Sequence, residues 1–278
     1  MVYIPKKVID RFTHETAKFQ HILSNAKKQD INEADTVMIV AEILSDVFGF
    51  DKFADLTSEF IIKNLYCDLA IKLDGKVKSL IEIKAVGLEL KENHLQQVLG
   101  YGATQGIQWV VLTNGIFWEI HRVHFQPLRA ELVCHLNFLE VNPRKSKDQE
   151  LLFLFCKEGI EKDVIKEFHE HQQMVSRFTI GAIILGAPVV DTIRREVKKI
   201  SPSVKVDNVE IESILRGEVL KRDAVEGEMA KRAMAWYKKI LDKARKEKEG
   251  PKEPTDPSST AAVARETETS PEIPSTSN

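Results

Sequence analysis

Between residues 60 and 85 the chain alternates apolar and polar side chains on either side of Asp74-Gly75. A period of two means a strand with unlike faces, and Asp-Gly between two such runs is a hairpin signal, so Phe60 to Leu73 and Val77 to Ala85 are expected to pair antiparallel. A three-residue loop, Asp74-Gly75-Lys76, would set Leu73 against Val77, Ile71 against Ser79, Leu69 against Ile81 and Cys67 against Ile83. One face of the hairpin is then almost wholly apolar. A two-residue loop would move the pairing by one and mix charged with apolar side chains on both faces, so the pattern favours the longer loop.

In the favoured register Asp68 lies opposite Glu82, and Glu82 and Lys84 share one strand face while Ile81 and Ile83 take the other. Directly opposed residues have Cβ atoms roughly 4.5–5.5 Å apart, and two carboxylates so close repel unless a proton or cation sits between them. An oxygen-loving divalent ion, Mg²⁺ or Mn²⁺, resolves that conflict, and a neighbouring lysine can orient an attacking water or stabilise charge developing on phosphorus. The triplet Glu-x-Lys means little by itself, since Glu89-Leu90-Lys91 and Glu196-Val197-Lys198 repeat it. The same spacing also suits a solvated edge hairpin with a surface ion pair.

Two neighbouring segments add to the group. His94, Gln97 and Tyr101 stand at helical spacing in Leu88 to Gln105 and form one polar and aromatic stripe, with Leu95, Val98 and Leu99 on the buried side. This stripe is expected to face the same cleft as Lys84 and to contact nucleic acid. After Asn32, a candidate N-cap, Val37, Val40, Ala41, Leu44, Val47 and Phe48 mark an amphipathic helix that ends at Gly49. Glu33 projects to the Val40 and Leu44 side, so it is a candidate metal or water contact, or a first-turn carboxylate favoured by the helix dipole.

The remaining signals define domains. Gln108 to Thr113 and Ile116 to Val123 flank Asn114-Gly115, a second hairpin signal, and Leu128 to Leu139 reads as a further strand. Period-two patterns stop near Asn142 to Lys147, which predicts an α/β domain over 1–145 and an all-α domain over 146–249. Residues 250–278 hold half of the prolines and almost no large apolar side chains, the composition of a disordered tail. In the helical part, Arg194, Arg195, Lys198 and Lys199, the Ser201-Pro202 turn and Ile211 to Lys221 suggest either a helix-turn-helix on phosphates or a solvated face that serves dimerisation or a partner protein.

Composition excludes several classes. The net charge of −2 gives no global electrostatic case for nucleic acid, so such a function must rest on local chemistry. Three separate cysteines, Cys67, Cys134 and Cys156, make neither a disulfide framework nor a zinc site and are expected as buried thiols in a reducing compartment. No apolar run approaches the roughly 18 residues of a membrane span, and the start of the chain has no apolar leader core, so a cytoplasmic location is expected.

Taken in order, Tyr66-Cys67-Asp68-Leu69-Ala70, Leu80-Ile81-Glu82-Ile83-Lys84-Ala85, Gln97-Val98-Leu99-Gly100-Tyr101 and Leu112-Thr113-Asn114-Gly115 resemble the N-terminal PD-(D/E)XK nuclease domain of type I restriction enzyme restriction subunits. Cys67 stands where the motif name has proline. The resemblance covers roughly Glu33 to Val123. It implies a restriction-endonuclease-like core, a mixed sheet flanked by helices. It further implies a metal held by Asp68, Glu82 and the Ile83 carbonyl, a catalytic Lys84, and Gln97 and Tyr101 touching DNA or positioning Lys84. A first-helix glutamate of that family corresponds to Glu33. The sequence G-x-x-x-x-G-K-[ST] is absent, so no ATPase motor accompanies this domain. The expected activity is Mg²⁺-dependent DNA endonuclease cleavage, in restriction or defence against foreign DNA. A catalytically silent nucleic-acid-binding or adaptor protein on the same fold is the alternative.

Overall fold

The Asn32 side chain accepts the Asp35 N–H at 2.8 Å, and this cap opens helix α2 (Glu33–Asp46) where the sequence places it. The computed structural model describes residues 3–62 and 65–249, so the tail expected over 250–278 lies outside it. Before α2 comes a helix not among those expected above, α1 (Lys6–Gln29), which buries Val8, Phe12, Phe19, Leu23 and Ala26 along one stripe. Six strands follow: β1 (Leu56–Ile62), β2 (Leu65–Leu73), β3 (Lys76–Ile83), then helix α3 (Leu95–Gln105), β4 (Trp109–Thr113), β5 (Phe117–Phe125) and β6 (Leu128–Asn137). They form one sheet in chain order, antiparallel except for the parallel pair β3 and β4, which α3 connects.

Both sheet faces are covered. Leu69, Ile71, Ile81, Ile83, Val111, Trp118 and Ile120 pack with the buried stripes of α1 and α2, while Ala70, Leu80, Val110 and Leu112 pack under Leu95, Val98 and Leu99 of α3. Cys67 joins this second cluster rather than the apolar face expected to hold it. All three cysteines are buried free thiols, and burial pushes Cys67 up to about 12.

The hairpin corrects the expected turn and keeps only the middle of the expected register. The turn is the two-residue Asp74-Gly75, both residues at positive φ (52° and 71°), with Leu73 paired to Lys76 and Lys72 to Val77. Such turns match the twist of the flanking strands, which is why the shorter loop forms. A bulge then intervenes. Lys78 is the extra residue, and beyond it Ile71 faces Ser79 and Leu69 faces Ile81 as expected, but the ladder ends there, so the expected pairs Asp68–Glu82 and Cys67–Ile83 are not among its partners.

The α/β unit also extends past the boundary expected at 145. Helices α4 (Ser146–Phe153), α5 (Lys157–Glu161) and α6 (Val164–Met174) belong to the same compact unit, which ends at Ser176. The cause is apolar: Leu152, Phe153, Leu154, Phe155, Val164 and Ile165 complete the core on the α1 and α2 side. Phe155 stacks on Phe48 at 5.7 Å and meets Trp118 edge-on at 5.8 Å. Phe155→Ala is therefore expected to destabilise the α/β unit by about 3–5 kcal/mol, measured by denaturant unfolding followed through tryptophan fluorescence in a Trp236→Phe background, where Trp109 and Trp118 of this unit report. A change below about 1 kcal/mol would return these helices to a separate domain.

The second unit, described from Arg177 to 249, contains α7 (Arg177–Ile184), α8 (Ala187–Ile200), α9 (Asn208–Ile214), α10 (Arg222–Val225) and α11 (Gly227–Glu249). Val190, Ile211 and Leu215 form its buried cluster, and a π-helical turn over Leu215–Val219 follows α9. The basic face of α8 is engaged within its own helix. Lys199 pairs with Glu196 at 2.7 Å, Arg194 with Asp191 at 3.5 Å, and Arg195 donates to the Thr192 hydroxyl at 3.0 Å. Among the described residues, no helix is long and apolar enough to cross a membrane.

Candidate metal and catalytic centre

The site forms where the β2–β3 hairpin opens. Beyond the Leu69–Ile81 pair, Asp68 Oδ2 accepts the Ile83 N–H at 2.7 Å, which fixes the Asp68 carboxylate beside the end of β3. Glu82 stands on the α3 face of the sheet, opposite Leu112 across the parallel pair, and is only 3% exposed. Its Oε1 meets Lys84 Nζ at 2.7 Å, and Lys84 Nζ also lies 3.5 Å from Glu33 Oε2. Four expected site residues, Glu33, Asp68, Glu82 and Lys84, are thus brought together from α2, β2 and the end of β3.

Backbone ties hold this geometry. The Lys84 N–H donates to the Thr113 carbonyl at 2.8 Å, extending the β3 to β4 ladder through the candidate catalytic lysine. Two residues on, the Val86 N–H donates to Thr36 Oγ1 at 3.1 Å, which ties the chain leaving β3 to the first turn of α2 and so brings Glu33 near Lys84. The Asn114 amide donates to the Leu88 carbonyl at 2.8 Å. The sequence marks Asn114 only as a turn residue, and Thr36 gives no signal, because its role depends on a partner 50 residues away.

Burial dominates the electrostatics. Desolvation pushes the Glu82 carboxyl up to about 7, aided by the negative charge of Asp68 and opposed by the hydrogen bond from Lys84. Asp68 is also raised by burial, against the pull of the Ile83 N–H and the Lys84 charge. Burial pulls the Lys84 ammonium down, but the Glu82 hydrogen bond and the charges of Glu82, Glu33 and Asp68 together hold it above its ordinary value. One lysine serves three carboxylates. The centre therefore has a deficit of positive charge, and at neutral pH Glu82 meets that deficit by holding a proton part of the time.

Among the described residues, no three His, Cys, Asp or Glu side chains surround a common point as a closed metal cage. The donors that are present still fit a hard divalent ion: Asp68 and Glu82 supply two carboxylates, and Mg²⁺ characteristically binds through one or two carboxylates and keeps several waters. Glu33 lies 3.5 Å from Lys84 Nζ, and its negative charge also acts on Asp68 and Glu82. His94 is in none of the hydrogen bonds or ion pairs of this group. It is half-buried in the 3₁₀ turn Glu92–His94, where Nδ1 accepts the Lys91 N–H at 3.2 Å and helps to open α3. Gln97 and Tyr101 lie in α3, and their side chains fall outside the described residues. Comparison with protein-family models, curated proteins and solved structures gives no match.

Proposed function

We propose that this chain is a divalent-metal-dependent nuclease that hydrolyses phosphodiester bonds in DNA, with a restriction-endonuclease-like α/β core. The observation that carries the reading is the buried Glu82 with Lys84 bonded to it and Asp68 fixed beside the end of the same strand, at the open end of a hairpin. Three clustered carboxylates with one cation form an arrangement that a divalent ion relieves, and strongly perturbed ionisable groups concentrate at functional sites. Asp68, Glu82 and the Ile83 carbonyl would hold Mg²⁺ or Mn²⁺, which supplies a polarised water and charge neutralisation at the phosphate. Lys84 orients the attacking water or stabilises charge in the transition state. Glu33 acts through Lys84 as a positioning residue.

Purified protein incubated with plasmid, linear and single-stranded DNA is expected to cut at least one form with Mg²⁺ or Mn²⁺ and none in EDTA. Absence of cutting on every form with either metal defeats the reading for the chain acting alone. Cutting that appears only with an added protein would point to the helical unit as its docking surface. A second reading, a catalytically silent nucleic-acid-binding or adaptor protein, is favoured by one observation: Lys84 already gives Glu82 an internal counterion at 2.7 Å. It predicts DNA binding that EDTA leaves unchanged.

A further inference from the structure

On the sheet face opposite Glu82, the α/β unit contains a cavity of about 200 Å³ between the strands and the α4–α6 segment. Trp109, Trp118, Ile81, Val111, Phe155 and Ile165 are among the apolar side chains of its wall. Protein cores are close-packed, and a void of this size leaves its lining without contact partners. An engineered apolar cavity of about 150 Å³ stays dry and takes up benzene, so this volume suits a single-ring molecule.

The polar groups at the cavity are few and mostly of one kind. The Ser79 hydroxyl, which is buried, donates to the Trp109 carbonyl at 3.2 Å and keeps only acceptor capacity toward the cavity. The opening is bordered by Lys78, the bulged residue of β3, and by Glu161 and Asp163 between α5 and α6. These three side chains are exposed, and none is in an ion pair among the described residues. Two carboxylates and a hydroxyl acceptor against one ammonium favour a donor-bearing, cationic end on whatever enters.

We infer that this cavity is a binding site for a compact apolar amine, one ring in size, with the ring among Trp109, Trp118 and Phe155 and the amine toward Ser79, Glu161 and Asp163. The site is independent of the nuclease reading, because no residue of the carboxylate centre lines it.

Benzylamine, toluene and benzoate have the same ring and differ in the end group, so they separate the two parts of the inference. The full chain carrying Trp236→Phe retains only Trp109 and Trp118, so its tryptophan fluorescence comes from the cavity wall alone. Benzylamine should change that emission saturably and raise the melting temperature, with toluene weaker and benzoate at least tenfold weaker than benzylamine. Val111→Phe should fill the space and lose at least tenfold in benzylamine affinity. The milder Val111→Leu, which is expected to fold, should weaken binding in the same direction. Absence of a saturable response to any of the three in the otherwise native chain overturns the site. Benzoate binding as tightly as benzylamine overturns the amine assignment, and unchanged binding in a folded Val111 variant overturns the location.

Discussion

Asp68→Asn and Lys84→Ala are expected to stop DNA cleavage in different ways. On the proposed function Asp68→Asn removes one of the two carboxylates that would hold the metal, so turnover should fall to background and Mg²⁺ should no longer stabilise the fold. The apo protein should gain stability, because Glu82 then loses a like charge that pushes its carboxyl upward. Lys84→Ala leaves both ligands in place. Metal binding should survive while the rate falls by about 10²–10³-fold, the scale of losing one preorganised electrostatic stabiliser. Single-turnover cleavage and Mg²⁺ titration of the melting temperature check both variants. Full activity in Lys84→Ala, or Mg²⁺ stabilisation retained by Asp68→Asn, would remove these residues from the roles assigned to them.

The second large effect couples pH to the metal. The folded Glu82 carboxyl takes up its proton near pH 7, whereas in the unfolded chain it does so near its ordinary value of 4.5. Between those values the folded state binds more protons, so the contribution of Glu82 to stability falls as pH rises through that window and is fully lost above pH 7. The full loss is on the order of 3 kcal/mol, because each tenfold difference in proton affinity between the folded and unfolded chain is worth about 1.4 kcal/mol. A cation at the centre replaces the proton. Mg²⁺ should therefore raise the melting temperature more at pH 8 than at pH 5.5, where Glu82 is mostly protonated. Glu82→Gln should flatten the pH dependence and stabilise the apo protein at pH 8. Thermal melts at the two pH values with Mg²⁺ or EDTA decide it, and an Mg²⁺ effect of equal size at both would rule out Glu82 as the linked group.

Local chemistry wrote much of this site into the sequence. Asn32 caps α2 because its short side chain reaches the Asp35 N–H, and that places Glu33 in the first turn. The parity of Ile81, Glu82, Ile83 and Lys84 fixes which side chains share a face, whatever the turn does. The turn itself is not legible this way, because face purity cannot choose a loop length when a bulge can satisfy both. Helix α1, by contrast, is legible, because Val8, Phe12, Phe19, Leu23 and Ala26 recur at helical spacing along one face, as the apolar residues of α2 do. The core contributed by α4 to α6 is hidden for a reason other than that of the turn. A change from strand to helix periodicity marks a change of element, and Leu152, Phe153 and Phe155 carry no local sign of which core they will enter.

The β3 bulge separates the length of the hairpin tip from the chemistry at its base. Lys78 has no partner opposite on β2 and falls between the pairs Ile71–Ser79 and Lys72–Val77. A hairpin lacking it would close the same Asp74-Gly75 turn in an unbroken ladder, with Leu69 still against Ile81. Insertions and deletions of one residue at the tip can thus be absorbed there, whereas the same change between Ser79 and Glu82 would turn the glutamate toward α2. Loss or gain of a codon is tolerable on one side of the bulge and ruinous on the other.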